Sequence, residues 1–335
     1  MKTQPAVYKA DLQSILEPLD LYLKGLDNFL TSQVKLLEPE VQEQVAYVLA
    51  NSGKRLRPIL VAYSGWKKDV HKDADLIRLG AILELVHLAT LVHDDILDNA
   101  AIRHGAPTVS AKYGSDAAVL VGDILFAHAL CLASEFKTTD VCRAVAKATA
   151  DVCSGEISQT YSKKLLNFDR AHYFRVIRLK TAELFGVACH LGAIVSGKSV
   201  STSKSVKNIG LYLGSAYQIF DDVVDLFEEE SKIGKTLGTD LENGKFTLPL
   251  LILIEAMPPA ERFEWIEQYN GGKREATEKL QALLKEYPIL QKVKVEFSRC
   301  LESANKELHN LNDIDKEHFL LLISFVGNLF YTIKE

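Results

Sequence analysis

The sequence predicts an all-α protein, one helical bundle over 1–335 with a central cleft, and three observations carry that prediction. Apolar residues recur at three- and four-residue spacing along most of the chain, and convincing period-two alternation is absent. No linker is long enough to divide the chain. Two apolar segments carry the same acidic pattern, Asp94-Asp95-Ile96-Leu97-Asp98 and Asp221-Asp222-Val223-Val224-Asp225, so two equivalent helices are expected to face each other.

Leu12 to Leu37 reads as an amphipathic helix pair, and Glu40 to Asn51 as a helix stopped by Ser52-Gly53. Pro58 suits the first turn of a helix that runs to about Trp66. Asp73 is the expected N-cap of a long helix ending at Asp98. Asn99 to Pro107 reads as a loop with a short segment to Gly114 after it, and Ser115 to Phe136 is apolar enough to be predicted central. A helix capped at Thr138 or Thr139 runs to about Lys164, and one capped by Asp169 runs past Lys180 toward Ser196. After a small-residue loop, Ser205 to Glu230 carries the second acidic pattern. Ser231 to Gly244 is rich in glycine and lysine and is expected to be mobile. Phe246 to Ala256 is short and apolar, Pro258-Pro259 starts a helix that Asn270-Gly271-Gly272 breaks, and three more helices fill the rest.

Asp94 and Asp98 are four apart and share a helix face, as do Asp221 and Asp225, while Asp95 is turned aside. Carboxylates stacked at the C-terminal end of an apolar helix are poorly placed for stability, because that end already carries partial negative charge. A cation is the natural compensation. Closely spaced carboxylate oxygens suit Mg²⁺, which takes one or two carboxylates together with substrate phosphates. One such motif alone is more often a solvated turn; two on separate apolar helices point to an acidic cleft that holds Mg²⁺ ions and a polyphosphate.

Permanent positive charge is distributed around these motifs. Gly53-Lys54-Arg55-Leu56-Arg57-Pro58 sets Lys and Arg at a helix start, a good phosphate site. Arg103-His104-Gly105-Ala106-Pro107-Thr108 follows the first acidic motif, and Lys180-Thr181 interrupts an apolar helix. Lys235 and Gly244-Lys245-Phe246-Thr247 follow the second. Together they suit the gripping of diphosphates beside a sheltered hydrocarbon.

The net charge of -5 and the lack of a basic run exclude a nucleic-acid surface. Five cysteines with no CxxC pair read as reduced thiols of a cytosolic protein, and the polar Met1 to Asp11 is no signal peptide, so a cytoplasmic location is expected. Phe319 to Ile333 is too short to span a bilayer comfortably and reads as core, with a peripheral membrane contact for product release as the alternative.

The ordered motifs GKRLRP, HLATLVHDDILD with RHGAPT, KT, QIFDDVVD and GKFTLP, from Gly53 to Pro249, resemble those of the trans-type isoprenyl diphosphate synthases. The resemblance implies the isoprenoid-synthase helical bundle, a homodimer, and head-to-tail (1'-4) condensation of isopentenyl diphosphate with an allylic diphosphate. It implies about three Mg²⁺ ions, held by Asp94, Asp98 and Asp221, with Asp95 and Asp225 in the same motifs and Asp225 acting through water. Lys54, Arg57 and His87 match the isopentenyl diphosphate site. Arg103, Lys180, Lys235 and Lys245 match the allylic diphosphate contacts, and Thr181 and Gln218 the polar groups at the reacting centre. Where the family usually has a second arginine after the first motif, this chain has His104, so a permanent charge in the isopentenyl diphosphate site becomes a titratable one.

Product length is expected from Ala89, five residues before Asp94 and read as lying on about the same helix face. There short-chain synthases often carry an aromatic ring. Ala89 and Thr90 are small, while Phe126 on the next helix is the ring able to form a floor. The expected product exceeds C15, in the C30–C50 range, with C20 as runner-up. A class I terpene cyclase and a non-catalytic subunit of a heteromeric synthase are the alternatives. A cyclase should lack GKRLRP, and a non-catalytic subunit often loses an acidic motif.

Overall fold

Two long helices organise the protein: Ala74–Leu97 packs on Asp20–Val34, Leu56–Ser64, Ser115–Ser134 and Glu183–Val195, and Val200–Phe227 packs on Glu183–Val195 and Ile289–His309. A computed structural model describes residues 12–165, 168–227, 240, 244–271, 283–284 and 286–333. In chain order the helices are α1 (Asp20–Val34), α2 (Pro39–Ala50), α3 (Leu56–Ser64), α4 (Ala74–Leu97), α5 (Val109–Tyr113), α6 (Ser115–Ser134) and α7 (Asp140–Leu165). Next come α8 (Arg170–Ile177), α9 (Glu183–Val195), α10 (Val200–Phe227), α11 (Leu248–Ala256), α12 (Pro259–Gly271), α13 (Ile289–His309) and α14 (Lys316–Leu329). Lys235 and most of the stretch expected to be mobile lie outside the described residues.

Helix α4 starts where the sequence predicts. The Asp73 carboxylate accepts from the N–H groups of Asp75 and Leu76, both at 3.0 Å, and satisfies two donors that the helix cannot. Its first five turns are apolar on nearly every side, and Leu76, Leu79, Ile82, Leu83, Leu85, Val86 and Leu88 are buried. Each such side chain contributes about 1.5–3 kcal/mol by leaving water. The Tyr22 hydroxyl donates to the Leu76 carbonyl at 3.1 Å and ties α1 to the start of this rod.

Residues 99–107 hold more order than a loop. Ile102–Arg103 (β1) pairs antiparallel with Ala106–Pro107 (β2), the only strand pair among the described residues. The two-residue turn, His104-Gly105, has φ of 52° and 78°. Positive φ at both positions belongs to the type I′ turn that matches hairpin twist, and histidine enters this region more readily than most residues.

Helix α6 departs from its predicted central place. Only 39% of its most apolar 18-residue window is buried, against 67% for α4. Val119, Leu120 and Leu130 are exposed on it. Composition announced an apolar helix but not that one face stays open, because nothing in a single chain reveals what covers that face. The C-terminal segment, in contrast, is core as its length predicts. Phe319, Leu322, Ile323, Phe325, Val326, Leu329 and Phe330 are all core, leaving Leu320 and Tyr331 exposed. Its apolar face is already covered, which leaves little apolar surface there for a membrane.

Candidate active site

Cationic side chains from three other segments meet the acidic motif at the end of α4, and Asp240, beside Lys245, links it to Asp225 of the motif on α10. Lys180 lies in a π turn, Arg178–Ala182, between α8 and α9. A Cβ on Gly155 of α7 would come within 2.7 Å of the Lys180 backbone nitrogen. A Cβ on Gly214 of α10 would come within 2.7 Å of the Ala182 Cα. Two glycines therefore let flanking helices close on the turn, which holds an arrangement that proteins use mainly at functional sites.

The Lys180 ammonium lies 3.4 Å from Asp94, forms an ion pair with Glu156 and donates to Gln159 at 3.2 Å. Burial works to lower its pKa, but Asp94 and Glu156 outweigh burial and hold it above the usual lysine value. Burial raises the Asp94 carboxyl, against the pull of Lys180. Lys245 is buried and donates to Asp98 at 2.7 Å, with Asp240 at 3.5 Å. Burial again opposes its charge and the two carboxylates prevail, so its pKa is raised. Asp94 and Asp98 thus each face an ammonium group.

Among the described residues, no group of three or more acidic, histidine or cysteine side chains converges to cage an ion. Asp94 and Asp98 each lie against an ammonium group and offer hard oxygen donors, the chemistry that a hard cation completed by substrate phosphates requires.

Asp95 does not fit as a ligand. It is 5% exposed and accepts from Arg103 Nε at 2.8 Å and Nη2 at 2.7 Å. Adjacent residues on a helix are turned about 100° apart, so Asp95 points to the β1–β2 hairpin while Asp94 points to the cleft. Burial raises its carboxyl and Arg103 pulls it back. Asp225, also buried, accepts from the Asp240 N–H at 3.3 Å.

The basic cluster packs against α9 and α10. Arg55, the residue before α3, has φ of 56° and pairs with buried Glu84 at 3.0 Å and with Asp27 at 3.2 Å. Arg57 stacks its guanidinium 4.9 Å from the Phe185 ring centre, and its Nε is a buried donor with no acceptor. Burial lowers its pKa to about 10, against the attraction of Glu84. A buried donor without an acceptor fits an incoming anion. Lys54 lies 5.9 Å from the Tyr217 ring centre. Burial, then Arg57, Arg103, His104 and Arg55, drive the His87 pKa well below its ordinary value and keep the ring neutral. His104 Nε2 would lie 3.5 Å from a Cβ on Gly53, which sets the histidine beside the GKRLRP segment.

At the reacting centre, the Thr181 hydroxyl donates to Gln218 Oε1 at 2.6 Å. Gln218 Nε2 donates to Asp222 at 2.9 Å, and the Tyr173 hydroxyl donates to Asp222 at 2.6 Å. Burial and Asp240 push the Asp222 carboxyl well above the usual range, opposed by these two hydrogen bonds.

The length-setting reading of Ala89 needs correction. Five residues turn a helix by about 500°, so Ala89 lies about 140° around α4 from Asp94 and not on the same face. It is fully buried on the stripe that carries His93. His93 packs on Gly122 of α6, 5.8 Å from the Phe126 ring centre and 3.1 Å from the Val119 carbonyl. Thr90 is half-buried, nearer the cleft. The α4–α6 seam, not the mouth, is where these residues meet.

Glu156, Gln159, Tyr173 and Glu84 were not legible as site residues. The signals available were slight: a charged side chain after a mid-helix glycine at Gly155-Glu156, and a buried-helix acid at Glu84. Asp222, four residues after Gln218, carried the clearer signal of a same-face pair.

Two acidic helices, an ammonium opposite each outer carboxylate of the first, and a guanidinium pocket across an apolar interior define a prenyltransferase. The chain belongs to the polyprenyl synthetase family, whose pattern matches residues 38–287. It is 31% identical to an octaprenyl diphosphate synthase of Haemophilus influenzae, covering 95% of each chain. It is 35% identical to the heptaprenyl diphosphate synthase component 2 of Bacillus subtilis, over 70% of this chain and 71% of that one. Among solved structures, a polyprenyl synthase from Caulobacter crescentus complexed with calcium and isoprenyl diphosphate superposes with a TM-score of 0.85. That protein is 29% identical, with 94% of this chain and 97% of that one covered.

Proposed function

We propose that this chain, read as one unit over 1–335, extends an allylic diphosphate by successive 1'-4 additions of isopentenyl diphosphate and makes a long all-trans polyprenyl diphosphate, C35–C50. The observation that supports it most is the pairing of a cation-bearing acidic cleft with a separate, anion-ready pocket at Arg57. One diphosphate would lie against Lys180, Arg103, Lys235 and Lys245, and the other against Lys54, Arg57, His87 and His104. Asp94, Asp98 and Asp221 would hold Mg²⁺, about three ions, with Asp225 acting through water. When bound with substrate, Mg²⁺ supplies Lewis acidity to the departing diphosphate.

The remaining work falls to the protein. The allylic C–O bond breaks and its electron pair leaves with the diphosphate, which Lys180 and Lys245 help to neutralise. Thr181 and Gln218 turn dipoles toward the carbocation, and the apolar walls exclude water that would quench it. The isopentenyl double bond then supplies two electrons to the new C–C bond, and a proton leaves to the released diphosphate. No His or Glu in these motifs is placed to take it.

The heptaprenyl and octaprenyl relatives favour a long product, and the small Ala89 in the α4–α6 seam agrees with that. The exposed apolar residues of α6, with Ile157 and Tyr161 of α7, support a homodimer that covers them. We read the enzyme as cytoplasmic. A second reading, one subunit of a heteromeric synthase, is favoured by the relative named as a component. Incubating the purified chain alone with isopentenyl and farnesyl diphosphates and Mg²⁺ decides between them. Elongation to C35–C50 is expected, and no elongation without a second protein contradicts the single-chain reading. Ala89→Phe should shorten the product by adding a ring of about 150–250 Å² to the seam; an unchanged length distribution contradicts the seam as the floor.

A further inference from the structure

Asp222 lies one turn beyond Gln218 on α10 and is 4% exposed. Both its oxygens accept: Oδ2 from the Tyr173 hydroxyl and Oδ1 from Gln218 Nε2. Asp222 is therefore the acceptor in both contacts, one on each oxygen. With Asp222 Oδ1 as its acceptor, the Gln218 amide turns its nitrogen inward and its carbonyl toward Thr181. Thr181 has a single O–H, and that carbonyl takes it at 2.6 Å. The hydroxyl's lone pairs are then left for the cleft. Gly214, whose missing side chain lets α10 close on the π turn, allows the contact between Gln218 and Thr181.

We propose that Asp222 is a positioning residue that fixes the Gln218 amide and, through it, the direction of the Thr181 hydroxyl, so that the negative end of that dipole faces the allylic carbon as it ionises. The assignment rests on the prenyl-transfer reading above. It removes Asp222 from the metal-binding acids although it belongs to the acidic motif. Tyr173, from α8, anchors the second oxygen and keeps the carboxylate from rotating away from Gln218. The direction of three hydrogen bonds is thereby set from one buried carboxyl group.

The test compares Asp222→Asn with the double variant Asp222→Asn/Gln218→Glu in steady-state elongation of farnesyl diphosphate. The amide that Asp222→Asn introduces can donate to Gln218, which then turns its own N–H groups toward Thr181 and reverses the hydroxyl. We expect kcat to fall on the order of 10²-fold, the scale of one lost dipole at a reacting centre. The KM of both substrates and the Mg²⁺ concentration for half-activation should stay within about twofold, because binding is not what changes. In the double variant the carboxylate introduced by Gln218→Glu accepts both from that new amide and from Thr181. The original hydroxyl direction returns, and kcat should recover by about tenfold or more, roughly one hydrogen bond's worth.

Tyr173→Phe removes the second anchor and gives a reading even where Asp222→Asn does not fold by circular dichroism. Its kcat should fall by about three- to tenfold with KM unchanged. A shifted Mg²⁺ midpoint in Asp222→Asn, a folded double variant no faster than the single, or an unaltered kcat in Tyr173→Phe would each overturn the assignment. Wild-type elongation in the same assay is the separate control, since a wild-type chain that does not elongate contradicts the functional reading itself.

Discussion

On α4 the second carboxylate of the acidic motif, Asp95, meets an arginine, whereas on α10 its counterpart Asp222 meets a hydroxyl and an amide. Both are nearly sealed from solvent, at 5% and 4% exposure, because both are turned about 100° from the acid before them. What differs is the neighbour on that buried side. Beside α4 it is the hairpin that presents Arg103; beside α10 it is α8, which presents Tyr173. A charge-to-charge clamp suits a group that must grip a diphosphate. A carboxyl that orients neutral dipoles suits a group that faces a carbocation, where a full cation would repel. One motif, repeated, therefore yields a binding clamp on one wall and an orienting relay on the other.

The largest effect should come from the outer acids, which the two helices use alike. Asp94→Ala or Asp221→Ala should each lower kcat/KM by on the order of 10³ or more, with helical content retained. Near-normal turnover at limiting Mg²⁺ in either variant would break the likeness between the helices. Next in size, Asp95→Asn should leave Arg103 without its clamp. The KM for the allylic diphosphate should then rise about tenfold or more, the scale of one charge-assisted hydrogen bond, while kcat changes little. A loss confined to kcat would make Asp95 the equivalent of Asp222 and erase the contrast.

A smaller effect is expected at His104. Restoring a permanent charge with His104→Arg should lower the KM for isopentenyl diphosphate a fewfold at alkaline pH, about the 1.4 kcal/mol scale or less. An unchanged KM across the pH range would leave the histidine as a turn residue only, a role its positive φ already gives it.

The smallest effect concerns stability. The native fold holds the His87 pKa well below its ordinary value. As pH falls through the unfolded value of about 6.5, the unfolded chain takes up a proton that the native ring resists. His87 therefore costs nothing above that pH, and stability is lost below it. His87→Gln should flatten the fall in Tm measured between about pH 7 and pH 5.5, and a slope identical to wild type would contradict the burial argument.

Much of this organisation was legible in the residues. Periodicity gave the helical class, and i to i+4 spacing gave the shared faces of Asp94 with Asp98 and of Asp221 with Asp225. Asp73 and Asp169 cap where their types predict, with Asp169 accepting from Ala171 N–H at 2.9 Å. Less legible was anything set by a long-range neighbour. Asp95 reads as a metal ligand until the hairpin brings Arg103 back over it, eight residues later. Ala89 reads as sharing a face with Asp94 until the helical turn is counted and places it in the α4–α6 seam. The open face of α6 reads as core because apolar content alone does not say what covers it.

The division between outer and inner acids is open to direct measurement. Mg²⁺ activation curves recorded side by side for Asp94→Asn, Asp221→Asn, Asp95→Asn and Asp222→Asn put it to the test. The outer pair should need about tenfold more Mg²⁺ or more for half-activation, as the loss of a ligand requires, and the inner pair should keep the wild-type midpoint while losing substrate affinity or turnover. Four variants that shift the midpoint alike would contradict it.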